Sequence, residues 1–132
     1  DVAETPAEES PDASPGVLVR ATPDPDHWLA VGLKPSLNVL MTGSNIYAPV
    51  KRDAGTNVVS FAEPKNLVAS GYLWKETEKQ LALKPFAVAE QEGSGWLITF
   101  TQDPAMRAYM DGLNVLLANA IFRGPAHASP AR

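Results

Sequence analysis

The two histidines are the residues of this chain best suited to metal binding or acid–base catalysis, but their surroundings support neither role. A zinc hydrolase site commonly needs a His-x-x-Glu pair and a distant His as ligands, with another Glu as general base. Neither His27 nor His127 is followed by a Glu at the third position. Asp24, Asp26 and His27 could form a weaker site, but carboxylates in a Pro-rich turn more often cap the backbone. We therefore predict no metal site and no metal cofactor in this chain.

Covalent catalysis would require an activated nucleophile, and none is evident. The chain has no Cys, which excludes a thiol nucleophile, a disulfide framework and thiolate metal ligands. The Gly93-Ser94-Gly95 turn lacks the Gly-Lys-Ser/Thr ending of a phosphate-binding loop, and a strand follows it where such a loop would open a helix. We predict no catalytic residue, and only a deep pocket holding a Ser near His27 would revive a hydrolase. None of the candidate hydroxyls sits in a Gly-x-Ser-x-Gly elbow: Ser44, Ser60, Ser70 and Ser94.

Aromatic side chains are the remaining candidates for ligand binding, because flat rings stack on sugars and peptides while their polar edges stay wet. We expect most of them in the core. Trp74 lies in a polar stretch and is predicted to be partly exposed, and Tyr72 and Tyr47 would complete a binding face. Arg107 follows a helix-starting Asp-Pro pair, so we interpret it as a salt-bridge or capping residue, with anion recognition as the alternative. The aromatic candidates are Trp28, Tyr47, Tyr72, Trp74 and Trp96.

These side chains must be positioned by a hairpin and a helix in the last part of the chain. Residues 86–91 and 96–101 are β-prone runs, and the glycines between them suit a hairpin turn. Apolar residues then recur at steps of three and four, between an Asp-Pro start and a Gly-Pro stop, which predicts an amphipathic helix packed on the hairpin. Gly112 interrupts this pattern, so the helix is expected to begin in earnest only there. Its predicted buried face comprises Met106, Tyr109, Met110, Leu113, Leu116, Leu117, Ala120 and Ile121.

The rest of the chain predicts an α/β domain with a mixed sheet. About six short strands with one strong helix favour helical cover on at least one face of the sheet. Short connections favour antiparallel pairing for much of it. Residues 27–31 are interpreted as a short helical piece, while Pro49 makes 46–51 an edge strand or no strand. Further strands are expected at 17–21, 37–41, 57–62 and 67–69.

Composition limits the chain to one modest domain, since 132 residues with 45% hydrophobic content can bury a small core. The net charge is −4, but five acids lie in residues 1–16, which contain no Lys or Arg, so ten acids and eleven bases remain. This near-neutral balance lacks the excess of positive charge that nucleic-acid binding requires. No run of apolar residues is long enough to span a membrane. We predict a disordered acidic linker at 1–16, one domain at 17–124 and a flexible tail at 125–132. An acidic binding tail is the alternative for the linker.

Five segments appear in a fixed order along the chain, at residues 26–33, 71–74, 93–95, 103–107 and 119–122. Together they resemble the C-terminal class I glutamine amidotransferase-like domain of bacterial zinc carboxypeptidase-family proteins. Such domains commonly carry a His-Pro-Leu-x-x-Gly-Leu segment, which residues 26–33 match except that Trp28 replaces the proline. The resemblance covers roughly residues 16–124. Its motifs mark turns and helix ends and contain no catalytic groups. The other matching segments are Gly71-Tyr72-Leu73-Trp74, Gly93-Ser94-Gly95, Asp103-Pro104-Ala105-Met106-Arg107 and Asn119-Ala120-Ile121-Phe122.

This resemblance implies a non-catalytic accessory domain that packs on, or presents, an upstream peptidase domain of the same precursor. The same resemblance implies that the chain forms part of a doubly wound, flavodoxin-like sheet. It also implies that zinc is bound only in the parent's peptidase domain and that the protein is periplasmic or secreted. Because the chain begins with Asp1, we expect a domain cut from a longer protein. A partial sheet could expose an edge that pairs with a second copy. The alternative function is a cell-wall glycan- or peptide-binding module using Trp74, Tyr72 and Tyr47. A shallow aromatic groove would favour this module, whereas a smooth polar surface would favour the accessory domain.

Overall fold

A curled antiparallel sheet of six strands forms the main layer of the structure, a computed structural model that describes residues 13–128. The strands are hydrogen-bonded in the order β2-β1-β3-β5-β6, and β4 pairs with β1 beside this path. Each described pairing is antiparallel. The strands are β1 (Ser14–Pro23), β2 (Leu37–Gly43), β3 (Thr56–Phe61), β4 (Val68–Ser70), β5 (Pro85–Glu92) and β6 (Gly95–Phe100).

Three α-helices and three short 3-10 turns complete the described part of the chain. The longest helix, α3, packs against the first 3-10 turn and against β2. Gly112 allows this close approach, because a Cβ there would lie 2.6 Å from the Leu37 Cδ2 atom. The helices are α1 (Pro64–Leu67), α2 (Lys75–Leu81) and α3 (Asp111–Arg123), and the 3-10 turns are Trp28–Ala30, Met106–Ala108 and Pro125–His127.

Alternation along β1 and β2 builds the centre of the core. Successive strand residues point to opposite faces of a sheet, so every second side chain can be buried. Val19 of β1 lies opposite Val39 of β2, and both are fully buried. Leu113 and Leu116 of α3 belong to the same buried cluster. Part of the core therefore lies between the sheet and α3, which accounts for the helical cover that the sequence predicts.

The predicted α/β class is confirmed, together with the hairpin and the C-terminal helix. The hairpin joins β5 to β6 through a tight turn in which Glu92 pairs with Gly95 and Gly93 has a φ of +58°. Residues 46–51 form no strand, and residues 67–69 are the end of α1 followed by the start of β4. The antiparallel pairing differs from the parallel pairing of the doubly wound sheet that the resemblance implies.

The predicted face of the C-terminal helix is only partly correct. Leu113 and Leu116 are buried as expected, but Tyr109 and Ile121 are exposed and Leu117 is only half-buried. Arg107 and Ala108 have φ values of +48° and +54°, so residues 106–110 are not continuous with α3 and cannot share its face. Asp103 accordingly accepts a hydrogen bond from the Ala105 N–H in a turn before the helix instead of capping it.

Two predicted boundaries also shift. Strand β1 begins at Ser14, inside the predicted linker, and the Ser14 side chain is buried. The predicted tail begins with the Pro125–His127 turn, whose backbone accepts a hydrogen bond from the indole of Trp96. Both differences arise because contacts distant in sequence anchor segments that have little apolar content of their own. The remaining parts of the predicted linker and tail, 1–12 and 129–132, lie outside the described residues.

Candidate functional site

Tyr72 and Trp74 form an exposed aromatic pair, as the sequence analysis predicts for Trp74. Their ring centroids lie 5.1 Å apart with planes at 87°, and the side chains are 66% and 47% exposed. The intervening Leu73 is buried, so it holds the segment while its two neighbours point outward. The Trp74 carbonyl accepts a hydrogen bond from the Glu78 N–H, which begins α2. The two rings thus form a small, L-shaped aromatic platform on the segment between β4 and α2, which the buried Leu73 anchors.

The other two predicted binding residues occupy different parts of the chain. Tyr47 lies in the connection between β2 and β3 and is 36% exposed. Arg107 lies in the 3-10 turn before α3 and is exposed. The ring contacts found in residues 13–128 pair Tyr72 with Trp74 alone. The structure therefore brings together two of the four predicted binding residues.

A second aromatic cluster was missed by the sequence analysis. The His127 ring stacks on Trp28 with centroids 4.7 Å apart and planes at 15°, and Trp96 contacts Trp28 edge-on at 5.6 Å. The Trp96 indole N–H donates to the His127 carbonyl at 3.0 Å, and His27 lies against both tryptophans. These residues come from three segments spread over a hundred positions, so no local spacing could have revealed the cluster. Its two histidines and two tryptophans tie the end of the described chain to its beginning.

His27 has a structural role within this cluster. Its Nδ1 atom accepts a hydrogen bond from the Leu29 N–H at 3.2 Å, so the side chain caps the Trp28–Ala30 turn. Partial burial lowers the pKa of His27 below its ordinary 6.5, an effect that Asp24 opposes and His127 reinforces. A lone pair must remain on Nδ1 for the cap, which places the proton of the neutral ring on Nε2. Burial and the cap therefore both favour the neutral form of this side chain.

One open groove beside the sheet has a volume of about 750 Å³. Arg20 lines it, but the guanidinium donates to the carbonyl oxygens of Asn66 and Val68 at 3.1 and 2.7 Å. That cation therefore ties β1 to the α1 and β4 segment. The groove contains Ser36 and Ser60, whereas His27 is not among the described residues that line it. The Ser and His arrangement that would revive a hydrolase is not formed there.

Within residues 13–128, no group of three or more His, Asp or Glu side chains is placed to hold a metal ion. In the same residues, no helix combines the length and hydropathy that crossing a bilayer requires. Asp24 does act as a local cap, as predicted, because its Oδ1 atom accepts a hydrogen bond from the Asp26 N–H at 3.0 Å.

The outward surface of α3 exposes several apolar side chains. Phe122 is 78% exposed and Ile121 57% exposed, while Val115 is partly exposed. Between its two terminal residues, Asp111 and Arg123, the helix carries no ionisable side chain. The sequence contained this signal, because an amphipathic helix should show polar residues at these positions. We define the outer face of α3 as Val115, Ala118, Ile121 and Phe122.

The fold places this chain in the α/β class, as a curled antiparallel sheet with a C-terminal helix. Comparison with known proteins found no matching family model, no matching curated protein and no matching solved structure.

Proposed function

We propose that this chain is a non-catalytic accessory domain of an exported zinc carboxypeptidase-family protein, and that it packs on or presents the peptidase domain. The observation that carries the proposal is the apolar outer face of α3. Its residues are apolar where an amphipathic helix normally carries polar side chains, and the described chain covers only the inner side of the helix. An exposed apolar surface of this kind is typical of a protein interaction site. The smooth polar surface expected for this role is not what α3 presents; its outer face is apolar instead.

The resemblance supplies the identity of the neighbour in this proposal. The parent's chemistry would be attack of a zinc-activated water on a peptide bond, and its ligands and general base would belong to the peptidase domain. This chain would contribute a rigid sheet that supports α3 and the Tyr72 and Trp74 platform. Export from the cytoplasm follows from the same resemblance and forms part of the proposal.

The proposal is tested by the mass and location of the native polypeptide. An antibody raised against this domain is used on fractionated source cells, and the captured protein is sequenced by mass spectrometry. We expect a band several times heavier than 14.1 kDa in the exported fraction, with peptides that include a His-x-x-Glu motif. A band near 14 kDa, or a heavy polypeptide without a zinc peptidase domain, would contradict the proposal.

A cell-wall glycan- or peptide-binding module is the second candidate, and the exposed Tyr72 and Trp74 pair favours it. Two rings at 87° present one face and one edge to the same ligand, so a sugar ring or a proline could stack on one while contacting the other. Leu73 anchors the platform in the core, which limits the entropy that binding would cost.

Calorimetric titration with soluble peptidoglycan fragments tests this second candidate. We expect Trp74→Ala to weaken binding by about tenfold or more, the loss that corresponds to roughly 1.4 kcal/mol of contact energy. Tyr109→Ala is the matched control, because it removes an exposed aromatic ring at a different surface. Equal affinities for the two variants, or no binding by the unmodified chain, would exclude the binding module.

A further inference from the structure

The aromatic platform follows β4, and β4 runs beside the start of β1. Ser70, the last residue of β4, lies opposite Leu18 of β1 in an antiparallel register. The next residue is still adjacent to β1, because a Cβ atom built on Gly71 would lie 3.6 Å from the Val17 Cα atom. The platform therefore begins one residue after a direct contact with the backbone of β1.

The part of the chain that precedes β1 is long enough to reach the platform. Three residue steps lead from Ser14 to Val17, and three lead from the adjacent Gly71 to the end of the platform. Because one residue spans at most about 3.6 Å, the Trp74 backbone lies within about 27 Å of Ser14. Residues 1–12 precede the described part of the chain, and a fully extended stretch of this length spans about 40 Å. The platform is thus within reach without any rearrangement of the sheet.

Proline is the chemistry that residues 1–12 offer to aromatic rings. They contain Pro6 and Pro11, and apart from the alanines Val2 is their only other apolar side chain. Proline-containing segments dock on exposed aromatic side chains because their extended helix is preformed and loses little entropy on binding. The two rings of the platform meet at 87°, so a proline ring can stack on one while it contacts the other. The platform therefore suits a proline of this segment.

The distance that each proline can cover selects Pro6 over Pro11. Pro6 lies eight residues before Ser14, so an extended chain carries it about 27 Å from that anchor. Pro11 lies three residues before Ser14 and extends only about 10 Å from it. Only Pro6 can therefore cover the whole separation that the chain allows between Ser14 and Trp74.

Charge does not explain a contact between this segment and the platform. Residues 1–12 carry five acids and no Lys or Arg. The helix that follows the platform, α2, carries two Lys and two Glu residues, so its side-chain charges cancel. An acidic segment gains little from a surface without an excess of positive charge. Recognition should therefore rest on the proline and depend only weakly on salt.

The small size of the platform favours an occupant that belongs to the same chain. Fully exposed aromatic side chains offer about 150–250 Å² each, so the partly exposed Tyr72 and Trp74 together offer about 200 Å². A separate protein partner normally covers about 800 Å² on each side. A tether raises the effective concentration of its segment to the millimolar range. A contact too weak to hold a free peptide is therefore populated when the peptide is part of this chain.

We propose that residues 1–12 dock on the platform formed by Tyr72 and Trp74 of the same chain, with Pro6 stacked on the Trp74 ring. The docked segment covers the surface that a separate sugar or peptide would have to contact, so the contact is autoinhibitory toward such ligands. This inference goes beyond the proposed function and does not depend on it, since every group that it uses belongs to the 132-residue chain.

Hydroxyl-radical footprinting of the 132-residue chain tests the inference, with side-chain oxidation read residue by residue by mass spectrometry. We expect P6A to raise the oxidation of Trp74 by about twofold or more, because a stacked ring excludes water from it. P11A is the matched control, since it removes the other proline of the segment and should leave Trp74 protected. Tyr109 is exposed on a different surface and should be oxidised equally in all samples.

Proteolysis reads the same contact from the side of the segment. A glutamate-specific protease cleaves after Glu8 and Glu9, which follow Pro6 closely. We expect Trp74→Ala to raise the rate of this cleavage by about twofold or more, because the protease acts on the undocked population. Tyr109→Ala is the matched control, since it removes an exposed ring elsewhere and should leave the rate unchanged.

The opposite results would overturn the inference. Equal oxidation of Trp74 in the unmodified chain and in P6A would show that Pro6 does not cover the ring, and an effect of P11A alone would assign the contact to the wrong proline. Protection of Trp74 that grows with protein concentration would identify a second copy as the occupant. Protection that is lost when E8Q is combined with E9Q would identify charge as the basis of the contact. Cleavage unchanged by Trp74→Ala would show that the segment is not held on the platform.

Discussion

The two sides of α3 have similar apolar composition but opposite surroundings. On the inner side, Leu113 and Leu116 are fully buried against the sheet, and on the outer side Phe122 and Ile121 face solvent. The residue that separates them is Asn119, whose Nδ2 atom donates to the carbonyl oxygens of Leu29 and Val31 at 2.9 and 2.8 Å. Hydrophobicity therefore does not choose which side of the helix faces the core.

The difference between the two sides shows how a polar contact can orient an apolar helix. The Leu29 and Val31 carbonyls lie in and just after the Trp28–Ala30 turn, and they would be left without this donor if the helix rotated. An unsatisfied buried polar group costs about 1–3 kcal/mol, enough to select one rotation among several apolar alternatives. The inner side is thereby assigned to folding, and the outer side is left exposed.

Substitution of Leu116 should have the largest effect on the free energy of unfolding. Leu116→Ala should destabilise the chain by about 2–5 kcal/mol, because it leaves a cavity in the core, and Leu116→Asp should cost more because it buries a charge. The half-buried Leu117→Asp should cost less than Leu116→Asp. Urea unfolding followed by tryptophan fluorescence measures these differences. If Leu117→Asp were the more damaging change, the assigned inner face would be wrong.

Removal of the Asn119 amide should have the next largest effect. Asn119→Ala leaves two carbonyl oxygens without their donor and should cost about 1–3 kcal/mol in unfolding free energy. Asn114→Ala is the matched control, since Asn114 makes a single exposed hydrogen bond to the Ala108 carbonyl and should matter less. Equal losses for the two variants would argue against Asn119 as the orienting contact.

Acidification should weaken the turn on which the inner side packs. The pKa of His27 is lowered in the folded chain by burial, so the unfolded chain binds the proton more readily. Stability from this group is fully present above pH 6.5 and is lost as the pH falls through the folded pKa. The melting temperature should therefore decrease on acidification from pH 7.5. His27→Asn keeps an acceptor for the Leu29 N–H without titrating, and it should reduce that pH dependence.

Truncation of the outer side should have the smallest effect on stability. Phe122→Ala in the 132-residue chain should change the unfolding free energy by no more than about 0.5 kcal/mol, because its side chain is already in water. The same urea titration provides the measurement. A loss of several kcal/mol would show that Phe122 packs within this chain, and the outer face would no longer be available for a partner.

The local parts of the fold were predictable from the sequence. Alternation and the glycine turn located the β5 and β6 hairpin, and Gly112 located the start of α3 to within one residue. Trp74 was predicted to be exposed from its polar neighbours, and it is. These features depend on residues close together in sequence, where backbone preference and periodicity act directly.

The tertiary structure alone decided which apolar residues are buried and which segments are anchored. Apolar residues lie on both the inner and the outer side of α3, so the helical period alone could not choose between Leu116 and Ile121. The Asn119 contact with residues about ninety positions away made that choice. His127 is likewise ordered by Trp28 and Trp96, although its own sequence resembles a tail. The sequence by itself determined the class, the hairpin and the helix, because these follow from local periodicity. The exposure of the outer face of α3 and the aromatic cluster depend on long-range contacts, which no local pattern encodes.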